Sequence, residues 1–507
     1  MIGDVVGALT AAAALAGGVR WLRVAQREHY IAGSVTRFAI RWWASRPVNE
    51  LLGVLLVVSV AAAWAGWWEG ATAAGALGLA APRGLSYRGH SAALAWTRRL
   101  RTLAAVGACL VIVIAVLGSA WRVTAGVGAT LAAGAPVLAD LALAVTAPLE
   151  RRLGAGFVRT AARRLAEVSP RVVAITGSYG KTSTKFYAGH LLRSKYTTVT
   201  SPASFNNMAG LSRAINERLM PGTEVFVAEM GTYGPGEIRA LCQWLNPEIA
   251  VITAVGPAHL ERMGSLDVIA SAKAEILERA QVGVINVDNP HLSGIAERYA
   301  RRGGRLIRCS AVDPAADVNV KADGERLTVS VQGHPLGDLR LPGGFPANLA
   351  CAVGVALALD IPGPDIASRL QTLPKPEHRQ TVVSAPNGVV IIDDTYNSNP
   401  DGAVGALATL ASAGANHKTV VVTPGMVELG REQFRANEQF ASRAAAIATD
   451  VLIVGRTNRR ALLQGAAGGQ AAITVCQNRA EAVAWVRRHL AVGDVVLYEN
   501  DLPDHYP

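Results

Sequence analysis

The fold of this 507-residue chain turns on one stretch, Ile175-Thr-Gly-Ser-Tyr-Gly-Lys-Thr-Ser-Thr184. A β-rich run, Val172–Thr176, enters a glycine-containing turn, and Lys181 and Thr182 then open a helix. Gly177 and Gly180 let the backbone wrap phosphate oxygens. Ser178, Tyr179 and Ser183 complete a loop whose N–H groups gather at a helix amino terminus. Lys181 is expected to reach the β- and γ-phosphates, and the Thr182 hydroxyl to bind Mg²⁺. The spacing, GxxGKT, is shorter than the usual GxxxxGK[ST] phosphate loop, so a GKT turn by itself is a weak signal. Its position between strand and helix is what points to nucleotide phosphate.

Downstream, short β-rich runs (Glu224–Met230, Ile249–Val255, Gly283–Asp288, Arg305–Ser310) alternate with helical stretches such as Val268–Ala280. That alternation predicts a parallel α/β sheet. Val318–Leu341 instead alternates around Ala-Asp-Gly and Gln-Gly-His turns, which predicts a small antiparallel appendage. A second α/β set follows in Val389–Asp394, Thr419–Thr423, Asp450–Val454, Ile473–Cys476 and Asp494–Tyr498, with Leu373–Pro376 as the hinge.

Upstream the texture is different. Half of all residues are hydrophobic, 17% are charged and mean hydropathy is +0.26. A soluble chain averages about 25% charged, so disorder is excluded and a membrane part is indicated. Residues 1–170 hold 17 arginines, no lysine and 7 acids, a net +10 out of the total +11. A basic excess carried by the apolar third is the pattern of arginine flanks on bilayer spans, and argues against a nucleic-acid face. Eight of the ten tryptophans precede residue 122, many at the ends of apolar runs, as an interfacial belt places them. Val5–Val19, Leu51–Trp68 with the weaker Gly70–Ala81, Leu103–Ala120 and Val123–Pro148 read as four or five spans. Asp140, inside the last, is either a functional acid or an acid near a helix end reaching water. Residues 150–170 read as an amphipathic basic helix on the anionic membrane face, or as a plain linker helix. The five cysteines form no CxxC pair, so neither a zinc site nor a disulfide scaffold is indicated.

The expected architecture is therefore an α-helical membrane region followed by two α/β domains: a central P-loop parallel-sheet ATPase domain and a Rossmann-like carboxyl-terminal domain. The boundaries are 1–149 (spans), 150–170 (linker), 171–375 and 376–507. Glu229 ends the apolar strand Val225-Phe-Val-Ala-Glu-Met-Gly231, where a carboxylate in the sheet of a phosphate loop is placed to bind Mg²⁺. His259 and Lys273 are, by themselves, an ordinary histidine and an ordinary helix lysine.

Together and in this order, these elements resemble the Mur ligase family of ATP-dependent amide ligases, over residues 171–507. Phe205-Asn-Asn207, Glu229-Met-Gly231 with Pro235-Gly-Glu-Ile238, and Ala258-His-Leu-Glu261 with Met263-Gly-Ser265 resemble its D-alanyl-D-alanine-adding branch. The most specific segments are Ile392-Asp-Asp-Thr-Tyr-Asn-Ser-Asn-Pro400 and Gly425-Met-Val-Glu-Leu-Gly430. The resemblance implies ATP and Mg²⁺ as cofactors, with His259 as a second magnesium ligand and Lys273 carbamylated to help hold that metal. It implies Asn348 near the adenine, Arg379 on the γ-phosphate, Asp394 on the ribose hydroxyls, and Asn206 and Asn207 facing the acceptor. The implied partners are a muramoyl-peptide acceptor, UDP- or lipid-linked, and an amino acid or dipeptide. With the spans, they place the enzyme in the plasma membrane with its catalytic domains cytoplasmic.

Four departures from the family pattern stand out. Ala254 replaces a usual Asn, and the Gly344–Phe345 region replaces a His-Asn pair before Asn348. The closing Lys-Gly-Ser is replaced within Leu497-Tyr-Glu-Asn-Asp-Leu-Pro-Asp-His-Tyr-Pro507, and apolar spans stand where the UDP-sugar-gripping domain is expected. The competing readings are a poly-γ-glutamate-synthase-like ligase, a P-loop ATPase coupled to transport, and an inactive membrane scaffold. Retention of Lys181, Glu229 and Lys273 argues against inactivity, and the scarcity of polar residues in the spans against transport.

Overall fold

A computed structural model describes residues 2–87, 94–202, 205–324, 326–341, 345–374, 381–395, 398–502 and 506. Met1–Ala155 and Gly156–Asp501 form separate compact units.

The first unit is helical: α1 (Ile2–Arg27), α2 (Ser34–Trp43), α3 (Pro47–Trp64), α4 (Trp68–Ala80), α5 (Arg98–Ala120), α6 (Thr124–Ala133) and the start of α7 (Ala135–Val168). Small residues let the helices approach closely, as in membrane bundles. A Cβ at Gly70 would lie 2.6 Å from the Ser59 carbonyl, which holds α3 and α4 together as a hairpin. Among the described residues, α1, α3 and α5 are long and apolar enough to cross a bilayer. The pair α6–α7, bent by 78°, makes a fourth if it counts as one span. The weak segment after Glu69 forms α4, whose 13 residues reach only ~20 Å as a helix, short of a ~30 Å hydrocarbon core. Trp67 and Trp121, at the α3–α4 and α5–α6 turns, are 67% and 80% exposed.

Three features differ from expectation. The basic stretch after Arg27 contains α2, which buries Phe38 and Trp42 and exposes Arg37 and Arg41. Asp140 neither reaches water nor stands idle. Its carboxylate accepts hydrogen bonds from the backbone N–H groups of Gly33 (2.8 Å), Val35 (3.3 Å) and Thr36 (2.7 Å), capping the amino end of α2. In addition, α7 runs unbroken through Pro148, so the last apolar run and the basic linker are one helix of 34 residues.

In the second unit, the central sheet has the order β2-β3-β1-β4-β5-β6-β7-β8-β9. These strands are β1 (Arg171–Thr176), β2 (Thr198–Thr200), β3 (Val225–Glu229), β4 (Ile249–Ile252), β5 (Val282–Asn286), β6 (Arg305–Ser310), β7 (Val318–Asp323), β8 (Arg326–Val331) and β9 (His334–Arg340). Pairing is parallel from β2 to β7 and antiparallel across β7-β8-β9, the expected appendage. Both faces of the parallel part are covered. Val173 and Ile175 of β1 pack into one core with the helix Pro346–Ala358, while Val172 and Ala174 pack into the other.

The carboxyl-terminal sheet has the order β10-β11-β15-β12-β13-β14: β10 (Thr381–Ser384), β11 (Val390–Asp394), β12 (Thr419–Thr423), β13 (Asp450–Val454), β14 (Ala472–Cys476) and β15 (Val495–Glu499). It is parallel apart from the edge strand β10, which pairs antiparallel with β11 and was not foreseen.

Candidate active site

In the central sheet β1 lies between β3 and β4, where the chain's winding reverses direction; open α/β sheets bind ligands at such a point, beyond the carboxyl ends of the strands. The quoted loop leaves β1 there and enters α8 (Lys181–Leu192). Gly180 has φ 80°, a left-handed conformation natural to glycine, and a Cβ on it would collide with the Asn348 amide. Asn348 is thus seated against the loop. The rest of the loop is tied to the strand next door. Ser178 N–H donates to the Ala254 carbonyl (2.8 Å), Ser178 Oγ donates to the Gly256 carbonyl (3.1 Å), and Thr253 Oγ1 donates to the Tyr179 carbonyl. Ala254 therefore serves through its backbone, whatever its side chain. Ser183 is buried within α8.

Lys181 Nζ folds over the loop and donates to the Gly177 carbonyl at 2.6 Å. Register pairs Ile175 with Glu229, so the carboxylate at the end of β3 faces the amino end of α8. Thr182 Oγ1 donates to Glu229 Oε2 at 3.1 Å. Lys185, one turn along α8, donates to the same oxygen at 2.8 Å, both side chains being buried. Asn206 Nδ2 lies 3.4 Å from Glu229 Oε1. Burial opposes ionisation of Glu229, but the Lys185 and Lys181 charges, with hydrogen bonds from Lys185 and Thr182, hold its carboxyl below the usual range. A hydroxyl and an ionised carboxylate this close are hard oxygen donors, a set that fits Mg²⁺. Among the described residues no group of three or more His, Cys, Asp or Glu could hold a metal.

Lys273, on the helix Leu266–Ala274, is 2% exposed. Burial, then the nearby Lys181 charge, push its ammonium well below the ordinary lysine value. His259 Nδ1 lies 2.6 Å from Glu428 Oε2, and its ring meets Tyr233 edge-on at 4.9 Å. Asn207 is committed locally: its Oδ1 caps the helix Met208–Arg218 by accepting from Gly210 N–H at 2.9 Å. Arg379 lies outside the described residues.

Asp394 is buried at the end of β11, in register with Glu499 of β15. Glu499 lies within the segment that replaces the closing Lys-Gly-Ser. Its carboxyl is fully buried and accepts from the Ser398 and Thr423 hydroxyls. Burial, opposed by those two hydrogen bonds and reinforced by Asp394, pushes it up to about 7.

Sequence reasoning missed Lys185, Thr253, Glu428 and Glu499. Lys185 was legible, since a helix places i+4 on the same face as Lys181. The others depend on tertiary neighbours.

The chain matches the Mur ligase middle domain over residues 175–356 and the Mur ligase glutamate ligase domain over 378–498. It is 31% identical over 393 residues to the UDP-N-acetylmuramoyl-tripeptide–D-alanyl-D-alanine ligase of Mycobacterium tuberculosis, covering 72% of this chain and 74% of that one. The Escherichia coli protein of the same name is 30% identical over 302 residues, covering 57% and 66%. Among solved structures, MurF from Acinetobacter baumannii aligns with TM-score 0.59 and 25% identity over 69% of this chain and 77% of that one. MurF from Thermotoga maritima in complex with ADP aligns with the same score and identity, over 69% and 80%. With its phosphate loop, magnesium-competent Thr182–Glu229 pair and both matching domains, the chain belongs to the Mur ligase family of ATP- and Mg²⁺-dependent ligases.

Proposed function

We propose that this enzyme joins D-alanyl-D-alanine to the free carboxylate of a muramoyl tripeptide. The acceptor carboxylate oxygen takes the γ-phosphoryl group of ATP, giving an acyl phosphate and ADP. The dipeptide amine then attacks the acyl carbon, inorganic phosphate leaves, and the amine gives up a proton. Two anions must meet in the first step, so neutralising and orienting them is the main task of the site. Lys181 and the loop from Gly177 to Ser183 hold the phosphates, and Thr182 and Glu229 hold Mg²⁺, which offsets phosphate charge. His259 and a carbamate on Lys273 hold a second ion. Asn348 takes the adenine, Arg379 the γ-phosphate, Asp394 the ribose, and Asn206 with Asn207 the acceptor. The observation that supports this most is the 3.1 Å Thr182–Glu229 contact at the winding reversal. Lys273 adds to it, because burial disfavours its ammonium and so favours the amine form that adds to CO₂ with loss of a proton.

The domain division 1–149, 150–170, 171–375 and 376–507 belongs to this reading, with the first part a multi-pass plasma-membrane anchor and the catalytic domains cytoplasmic. The arginines of 20–46 and 83–101 then share the cytoplasmic side and residue 1 lies outside, which makes five spans, the Leu51–Ala81 region crossing twice with the short α4 as its return. Leu149, Leu153 and Phe157 form an exposed stripe on α7, with Arg151, Arg152 and Arg159 off it, as a helix seated on an anionic lipid surface requires. Such an anchor favours a lipid-linked acceptor by raising its local concentration.

Purified full-length protein given ATP, D-alanyl-D-alanine and either UDP-linked or lipid-linked muramoyl tripeptide tests the assignment. Phosphate release with a pentapeptide product of the expected mass is predicted. Turnover that ignores both acceptors contradicts it. For topology, cysteines introduced at the exposed positions Ile2 and Val312, in a Cys109→Ser background, are expected to label from opposite sides. Labelling from one side contradicts the arrangement.

A further inference from the structure

Glu428 lies in the Gly425-Met-Val-Glu-Leu-Gly430 segment of the carboxyl-terminal sheet, yet its carboxylate meets His259 beside the central sheet. The segment that delivers it is braced at several points. Asn437 Oδ1 accepts from Met426 N–H (2.7 Å), and Asn437 Nδ2 donates to the Met426 carbonyl (2.9 Å). Asn458 Nδ2 donates to the Pro424 and Met426 carbonyls (both 3.0 Å), and Asn500 Nδ2 to the Gly425 carbonyl (2.7 Å). Asn437 is fully buried, and a buried amide satisfied on both sides fixes a backbone firmly. Gly430 then packs against the backbone of Leu260 and Glu261, next to the histidine. Glu428 (φ 64°) and His259 (φ 63°) are both non-glycine residues in the left-handed region. Such conformations persist where surrounding structure imposes them, and they gather at functional sites.

The chemistry of the contact is directional. An ionised carboxylate has no proton to give, so His259 Nδ1 must be the donor at 2.6 Å. That leaves the lone pair on Nε2, the nitrogen then free to bind a cation. Metal-binding histidines are oriented by such an outer carboxylate, whose removal typically weakens metal binding 10- to 100-fold. We propose that Glu428 is a positioning residue for His259: carried in by the carboxyl-terminal domain, it fixes the imidazole with Nε2 available to Mg²⁺, so that the ligand set is complete only when the two domains are together. The inference rests on the reading of His259 as a magnesium ligand. It adds a reason for the second domain to close, beyond bringing substrates together.

The test is calorimetric titration of Mg²⁺ into full-length protein saturated with ADP, with no turnover involved. Glu428→Ala is expected to weaken the second Mg²⁺ site about tenfold. Glu428→Gln, whose amide oxygen can still accept from Nδ1, is expected to recover most of that loss. His259→Ala should weaken the same site at least as much, and adding Glu428→Ala to it should change nothing more, because the carboxylate acts through the ring. If His259→Ala weakens Mg²⁺ binding and Glu428→Ala does not, the positioning role is wrong while the histidine reading stands. If His259→Ala leaves Mg²⁺ binding unchanged, the histidine reading fails, and this inference with it. Equal melting temperatures for the single variants and the parent exclude a general loss of fold.

Discussion

Glu229 and Glu499 occupy matching places in two different sheets. Each ends a parallel strand, each is almost completely buried, and each accepts a threonine hydroxyl. Their charge states diverge because of neighbouring cations, chiefly Lys185 and then Lys181 beside Glu229. Glu229 has the Lys185 ammonium at 2.8 Å and is held ionised. Among the described residues Glu499 meets two hydroxyls and a second carboxyl, Asp394, and is pushed up to about 7. Burial acts on both in the same direction, so a partner cation decides whether a strand-end carboxylate can serve a metal. The first is equipped to hold Mg²⁺ and the second is poised between two protonation states.

The largest effect is expected at the ammonium over the phosphate loop. Lys181→Ala should reduce phosphate release by about a thousandfold or more without loss of fold, because the proposed mechanism has its charge meet the developing phosphate charge. Lys273→Ala comes next, with a loss of about a hundredfold. Short-chain carboxylic acids should partly restore turnover by supplying the missing carboxylate, and full activity in this variant refutes the carbamate. Lys185→Met breaks the comparison itself by making Glu229 resemble Glu499. A buried carboxylate left without its cation costs about 3–5 kcal/mol, read as a fall in thermal midpoint at pH 7. Adding Glu229→Gln should return much of it, and additive losses would show that the pair is not coupled.

Glu499→Gln is the mildest and sharpens the other half. A carboxyl whose folded pKa is raised binds its proton more tightly folded than unfolded, so its stabilising contribution is complete below about 4.5 and is lost as pH rises through about 7. The variant, which mimics the protonated form, should match the parent at pH 4.5 and exceed its melting temperature at pH 8. An identical pH dependence in both would place the proton elsewhere.

These contrasts also mark what was legible from sequence. The strand-to-helix loop, Glu229 and the parallel runs of both sheets were readable because each is a local signal: a glycine turn, an apolar run with one acid at its end, a period of β-rich segments. The third-neighbour effects were not. Nothing in the sequence around Asp140 says that it caps a helix more than a hundred residues upstream. Asn207, which the family resemblance sets facing the acceptor, also caps the helix that follows it, a contact set by where that helix starts. The short α4 was hard to judge for a different reason, since alanine and glycine give little hydropathy even where they let helices pack. Glu428 stood inside a recognised segment, but its role depends on a residue 169 positions away.

The central claim is that the acceptor carboxylate is phosphorylated before the amide forms. Its most direct test is ¹⁸O transfer: a muramoyl tripeptide labelled with ¹⁸O in its free carboxylate, incubated with full-length enzyme, ATP, Mg²⁺ and D-alanyl-D-alanine. Attack of that carboxylate on the γ-phosphorus, followed by loss of phosphate to the amine, predicts one ¹⁸O in each inorganic phosphate released. Phosphate free of the label, with amide formed, would contradict the account.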